Sequence, residues 1–176
     1  MAIAMHCLRP CIRHDRLAAM VNRVAPLKNP PRVEVVIEIP RGSFVKRDSY
    51  GRVDFVSPVP CPYNYGSIHQ YLGGEGDFLD AIVLGPRLPA GSTVEVNAYG
   101  AVGLSERYMY DDKLICATQP IAARDRRNIL WFFKLYALFK AFLNMVRGRG
   151  GRSHCEGWGD ASAAIARAIP VKQLPW

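Results

Sequence analysis

Glu75, Asp77 and Asp80 lie in one short stretch, Glu75-Gly76-Asp77-Phe78-Leu79-Asp80. Residues two apart in an extended chain point the same way, so Glu75 and Asp77 can face one site, with Asp80 at the mouth of an apolar strand from Ala81. Carboxylates this close repel one another unless a cation sits between them. Hard oxygen donors of this kind suit Mg²⁺, with Mn²⁺ as the alternative. By composition alone the competing account is a solvated acidic loop, since exposed charge is the norm.

Two further acidic spots accompany this one. Glu106 precedes Asp111-Asp112, which run directly into Lys113. Glu38 interrupts the apolar run Val36-Ile37-Glu38-Ile39, and with a period of two it shares a face with Val36 and Pro40. The basic candidates are Lys46, Arg52 and Lys113, with the hydroxyls of Tyr63, Tyr65 and Tyr136. Lysine, arginine and tyrosine all donate to phosphate oxygens.

Short strands separated by turns must position these groups. Val33–Ile39 is rich in β-branched residues between Pro31 and Pro40. Arg52–Val56, Ala81–Leu84, Ser92–Leu104 and Lys113–Ala117 read as further strands. Asp125–Val146 reads as a helix with Asp125 at its N-cap, ended by Gly148, Gly150 and Gly151. Asp160–Ile169 reads as a second helix, capped by Asp160 and stopped by Pro170. The expected fold class is mixed α+β, mainly β: an OB-like five-stranded barrel with flanking C-terminal helices. Residues 1–30 read as an N-terminal extension, helical over Arg13–Val21, and 31–176 as a single domain.

The chain has 176 residues, 49% of them hydrophobic, and a formal charge of +8. That length and apolar content support one packed core. The basic balance favours anionic ligands. Five irregularly spaced cysteines suggest reduced thiols in a cytoplasmic protein. The segment Ile129–Val146 carries Lys134, Lys140 and Asn144, which argues against a membrane span. Trp131, Phe132, Phe133 and Leu135 are expected in the core. Cys7, Cys11 and His14 fall short of the four ligands of a closed zinc site.

The order of these pieces resembles the family I soluble inorganic pyrophosphatases. Val36-Ile37-Glu38-Ile39-Pro40 with Lys46, Pro62-Tyr63-Asn64-Tyr65-Gly66 as the Asn-Tyr-Gly turn, Glu75–Asp80, Asp111–Ile115, Phe132-Phe133 with Tyr136, and Glu156-Gly157-Trp158 follow that family's sequence from about Val33 to Ile169. The resemblance implies Mg²⁺-dependent hydrolysis of pyrophosphate by a metal-activated water. It assigns the water to Asp77, and the activating metals to Glu75, Asp77, Asp80 and Asp111. Metals arriving with the substrate fall to Glu106, Asp111 and Glu38. Phosphate contacts fall to Lys46, Lys113, Tyr65 and Tyr136. It also implies a homo-oligomer, while the interrupted Ile129–Val146 run argues against a membrane partner, and strands whose aromatics, Phe55 and Tyr99, form no stripe argue against a nucleic-acid partner.

The sequence departs from that pattern in several places. Glu75 replaces the first signature aspartate and reaches roughly 1 Å further; misplacements of about 1 Å can cost on the order of 10²-fold. Phe78 replaces a proline, Cys61 a tyrosine, and Val53 an arginine for which Arg52 is the nearest substitute. Ala137 stands where a lysine is expected, with Lys140 one turn on as a substitute, and restoring a lysine at 137 is expected to improve substrate affinity. Two alternative readings are an OB-like single-strand nucleic-acid binder, supported by the basic charge and the 147–152 Arg-Gly stretch, and a catalytically weak relative serving as a subunit or scaffold.

Overall fold

The structure, a computed structural model, describes residues 29–47, 52–56, 59–106, 109–146 and 153–173. The helix expected over 13–21, the Cys7/Cys11/His14 group and the 147–152 stretch lie outside the described residues.

Five strands close into a barrel. They are β1 (Arg32–Ile39), β4 (Asn64–Leu72), β5 (Phe78–Val83), β6 (Thr93–Glu106) and β8 (Lys113–Ala117). Hydrogen bonding runs β1-β4-β5-β8-β6 and returns from β6 to β1. All of these pairings are antiparallel except β5 with β8. β2 (Val45–Arg47) and β3 (Val53–Val56) form a separate two-stranded sheet. β7 (Met109–Tyr110) and β9 (Ser153–Gly159) extend β6, and β10 (Ile169–Pro170) pairs with β4. Two helices flank the barrel, α1 (Ala123–Val146) and α2 (Ala161–Arg167).

Period-two alternation divides the side chains between two cores. Val33, Val35, Ile37, Ile68, Leu79, Ala81, Val83, Leu114 and Cys116 fill the barrel interior, which Ala161 and Ala164 of α2 help to close. The residues between them, Ile82 on β5 and Ile115 on β8, face outward under Ile129, Leu130, Phe133 and Ala137 of α1. Burying each such isoleucine contributes about 1.5–3 kcal/mol. Asp80 and Lys113 precede Ile82 and Ile115 by two residues, so they share this outer face.

Several boundaries differ from the sequence reading. Asn64-Tyr65-Gly66 opens β4 instead of forming a turn. A β-carbon at Gly66 would collide with the Val36 carbonyl, so glycine marks close strand approach here. The strand around Asp80 begins at Phe78, so Asp80 lies within β5 and not at its mouth. His154 to Trp158 belong to β9, a strand not expected from the sequence. Helix α1 begins at Ala123, placing Asp125 in its first turn. Asp160 does cap α2, its Oδ1 accepting from Ala163 N at 2.8 Å.

Helix α1 buries one side only. Phe133 is buried and Phe132 half-buried, but Trp131 and Leu135 are exposed, correcting their expected place in the core. The helix lies on the barrel surface and is not enclosed by it, so its apolar residues do not all find partners. Among the described residues, no helix is long and apolar enough to cross a membrane.

Ala137 is 7% exposed within the outer core. A lysine there would drive an ammonium into a packed apolar layer, which redirects the expectation of improved substrate affinity. Ala137→Lys is expected to cost about 1–3 kcal/mol of stability. A lower urea midpoint checks this; an unchanged midpoint contradicts the packing of Ala137 of α1 against the barrel.

Candidate active site

The site is a row of polar groups on the outer barrel face. Ser67 of β4 pairs with Asp80 of β5, and Asp80 pairs with Lys113 of β8. The Lys113 Nζ donates to Asp80 Oδ2 and, at 2.5 Å, to Asp111 Oδ1. Lys113 also lies against the Tyr65 ring, 5.9 Å from its centroid. Lysine is almost never buried without partners, and here the side chain is 7% exposed with two carboxylates around it.

Asp111 and Asp112 separate although adjacent. Asp111 joins Lys113, while Asp112 turns to the α2 side and receives Arg167 Nε at 2.9 Å. Asp112 is therefore a fold contact. At the other end of the row, Ser67 Oγ donates to Glu38 Oε1 at 2.7 Å.

Glu75 and Asp77 sit exposed on the turn between β4 and β5. Gly76 holds φ +90° there, and the Asp77 carbonyl accepts from Gly73 N at 2.8 Å. The turn runs close to β7: a β-carbon on Gly74 would lie 2.9 Å from the Tyr110 carbonyl oxygen, next to Asp111. Phe78 stacks on His69 with centroids 4.3 Å apart, an anchor for the turn's exit where a proline was expected.

The structure thus joins Tyr65, Asp80, Asp111 and Lys113 directly, with Glu38 linked through Ser67. Lys46 and Arg52 belong to β2 and the segment leading to β3, in the separate sheet. Tyr136 lies on α1 beside Phe132 and Phe133. The side chains of Lys46, Glu106 and Lys140 lie outside the described set. Ser67 was missed by sequence reasoning, because a single serine in a strand carries no signal of its partner.

A divalent cation fits the donor chemistry. Mg²⁺ is usually held by one or two carboxylates plus substrate oxygens and water, not by a full protein cage. Asp80 and Asp111 already converge on one positive group, the Lys113 ammonium. Among the described residues, no cluster of three or more metal-ligating side chains forms.

Protonation in this region is strongly biased. Burial alone would lower the Lys113 pKa, but Tyr65, Asp80 and Asp111 more than offset it and hold it well above the usual value. Burial raises the Tyr65 hydroxyl well above its usual range, with Lys113 opposing and Asp80 adding. Burial also pushes the Cys116 thiol from 9.0 to about 12. All three hold protons more tightly folded than unfolded, so their contribution is complete below the unfolded values and is lost as pH rises toward the folded ones. The urea midpoint is therefore expected to fall as pH rises from 9.0, where Cys116 begins to lose its contribution, through 10.0 and 10.5, where Tyr65 and Lys113 follow. A midpoint that rises over this interval contradicts these environments.

Comparison with known proteins identifies the family of the fold. The family model for inorganic pyrophosphatase matches residues 35–166. An inorganic pyrophosphatase of Gluconobacter oxydans is 35% identical over 105 residues, a match covering 54% of this chain and 61% of that protein. One from Sulfolobus acidocaldarius is 29% identical over 176 residues, covering 86% of this chain and 97% of the relative. The crystal structure of the Thermus thermophilus inorganic pyrophosphatase superposes with a TM-score of 0.62 at 29% identity, covering 81% of this chain and 94% of that one.

Proposed function

The chain belongs to the inorganic pyrophosphatase family, and on that footing we propose that it hydrolyses pyrophosphate to two phosphates with Mg²⁺. The observation that carries this reading is the convergence of Asp80, Asp111 and Tyr65 on Lys113. It gathers cation-binding and phosphate-binding groups at one point on a rigid sheet.

Pyrophosphate is densely charged, so attack on phosphorus depends mainly on positioning and charge neutralisation. A bound Mg²⁺ would supply that neutralisation and acidify a coordinated water. Asp80 and Asp111 are the proposed protein ligands, with Glu75 and Asp77 from the turn beside them. Glu38 and Glu106 are assigned to cations that enter with the substrate. Asp77 accepts the proton of the attacking water. The water oxygen bonds to one phosphorus while the bridging P–O bond breaks. Lys113, held protonated, moves from carboxylate to phosphate partners as substrate enters, with Tyr65 donating from beneath it. Lys46, Arg52, Tyr136 and Lys140 are assigned to the outer phosphate contacts, in the cytoplasm and in a homo-oligomer.

Phosphate release by the native protein and by Asp77→Asn in Mg²⁺ tests the assignment. A large loss in the variant supports it, and equal rates contradict it. The nucleic-acid reading leaves the buried Lys113 group unexplained.

A further inference from the structure

We infer that Ser67 is a positioning residue for Glu38, fixing the direction of that carboxylate at the end of the polar row; this rests on the reading of Glu38 as a cation-holding group.

Glu38 occupies an irregularity in β1. Ile37 pairs with Gly66 and Ile39 with Tyr65, so β1 spends an extra residue where β4 spends none, and that residue is Glu38. Such bulges re-aim a side chain at the cost of a looser ladder. A glutamate with three rotatable bonds on an irregular strand would sample several directions. The bond from Ser67 Oγ to Glu38 Oε1, at 2.7 Å, selects one of them.

Ser67 is well suited to the task. It is 3% exposed, it pairs with Val36 on one side, and it pairs with Asp80 on the other. Its place is therefore fixed by two neighbouring strands. Its one hydroxyl proton goes to Glu38, a charge-assisted hydrogen bond that fixes the direction of the carboxylate. Ser67 thus links the bulged glutamate to the same cross-strand row as Asp80 and Lys113. Groups that orient a metal ligand typically change metal affinity by about 10–100-fold when removed.

Mg²⁺ binding should be followed by calorimetry in saturating inorganic phosphate, alongside hydrolysis, for Ser67→Ala, Glu38→Gln and the double variant. Ser67→Ala is expected to weaken Mg²⁺ binding about 10-fold. Added to Glu38→Gln, it should weaken binding no further, because the carboxylate it orients is already gone. Ser67→Thr, which keeps the hydroxyl, should recover part of the loss. Native Mg²⁺ affinity in Ser67→Ala overturns the inference. So does a loss of equal size in the Glu38→Gln background, which would mark Ser67 as a general packing residue. Native affinity and native hydrolysis in Glu38→Gln itself would instead overturn the role of Glu38, and the reading beneath this inference.

Discussion

Asp80→Asn is expected to lower phosphate release from pyrophosphate by on the order of 10²- to 10³-fold, the scale for losing one preorganised electrostatic group. The substitution keeps the shape of the side chain and removes its charge. Asp80 stands within β5, hydrogen-bonded into the barrel between Ser67 and Lys113 on neighbouring strands. Its position is set by the pairing of three strands. Glu75 and Asp77 are different, because their turn is exposed and can adjust. Glu75→Gln should therefore cost less than Asp80→Asn. An Asp80→Asn protein that folds and retains native hydrolysis contradicts a site centred on Asp80, Asp111 and Lys113.

Lys113→Met should have the second largest effect, divided between stability and substrate binding. The change leaves Asp80 and Asp111 facing one another without the ammonium that now joins them. Breaking a buried pair costs about 3–5 kcal/mol; because the Asp80 side chain is 22% exposed, about 2–4 kcal/mol is expected. Mg²⁺ should restore part of this, since a ligand that binds only the folded state stabilises it. The variant should therefore gain more in urea midpoint from Mg²⁺ than the native protein gains. Its KM for pyrophosphate should rise at least about 10-fold with the loss of a charge-assisted donor. Equal Mg²⁺ stabilisation of both proteins would show that Asp80 and Asp111 do not form a cation site.

Much of this architecture was legible in the residues. The strand around Ile37 declares itself by β-branching between prolines, and Lys113–Ala117 by its apolar run. The Asp160 cap was readable because its signal is local, a short polar side chain ahead of a helical run. What escaped depends on pairing. Asn64-Tyr65-Gly66 carries turn residues, yet it becomes strand because Gly66 lets β1 approach closely. β9 hid for a similar reason, with Gly157 and Gly159 diluting its strand character. The exposure of Trp131 was invisible because an apolar helix does not declare which side will be covered.

The site divided along the same line. Asp80, Asp111, Lys113 and Tyr65 were found as residues, but their convergence on one ammonium needed the parallel register of β5 with β8. Asp111 and Asp112 read as one acidic pair, and only alternation separates a site residue from a partner of Arg167. The bond from Ser67 to Glu38 depends on a bulge that no propensity encodes.

The central claim is Mg²⁺-dependent hydrolysis at the Asp80–Asp111–Lys113 point, and its most direct test is phosphate release from pyrophosphate with Mg²⁺ and after chelation. Release that is rapid with Mg²⁺, abolished by chelation and restored by added Mg²⁺ is the predicted result. No release above the uncatalysed rate at any Mg²⁺ concentration, from folded protein, would contradict it.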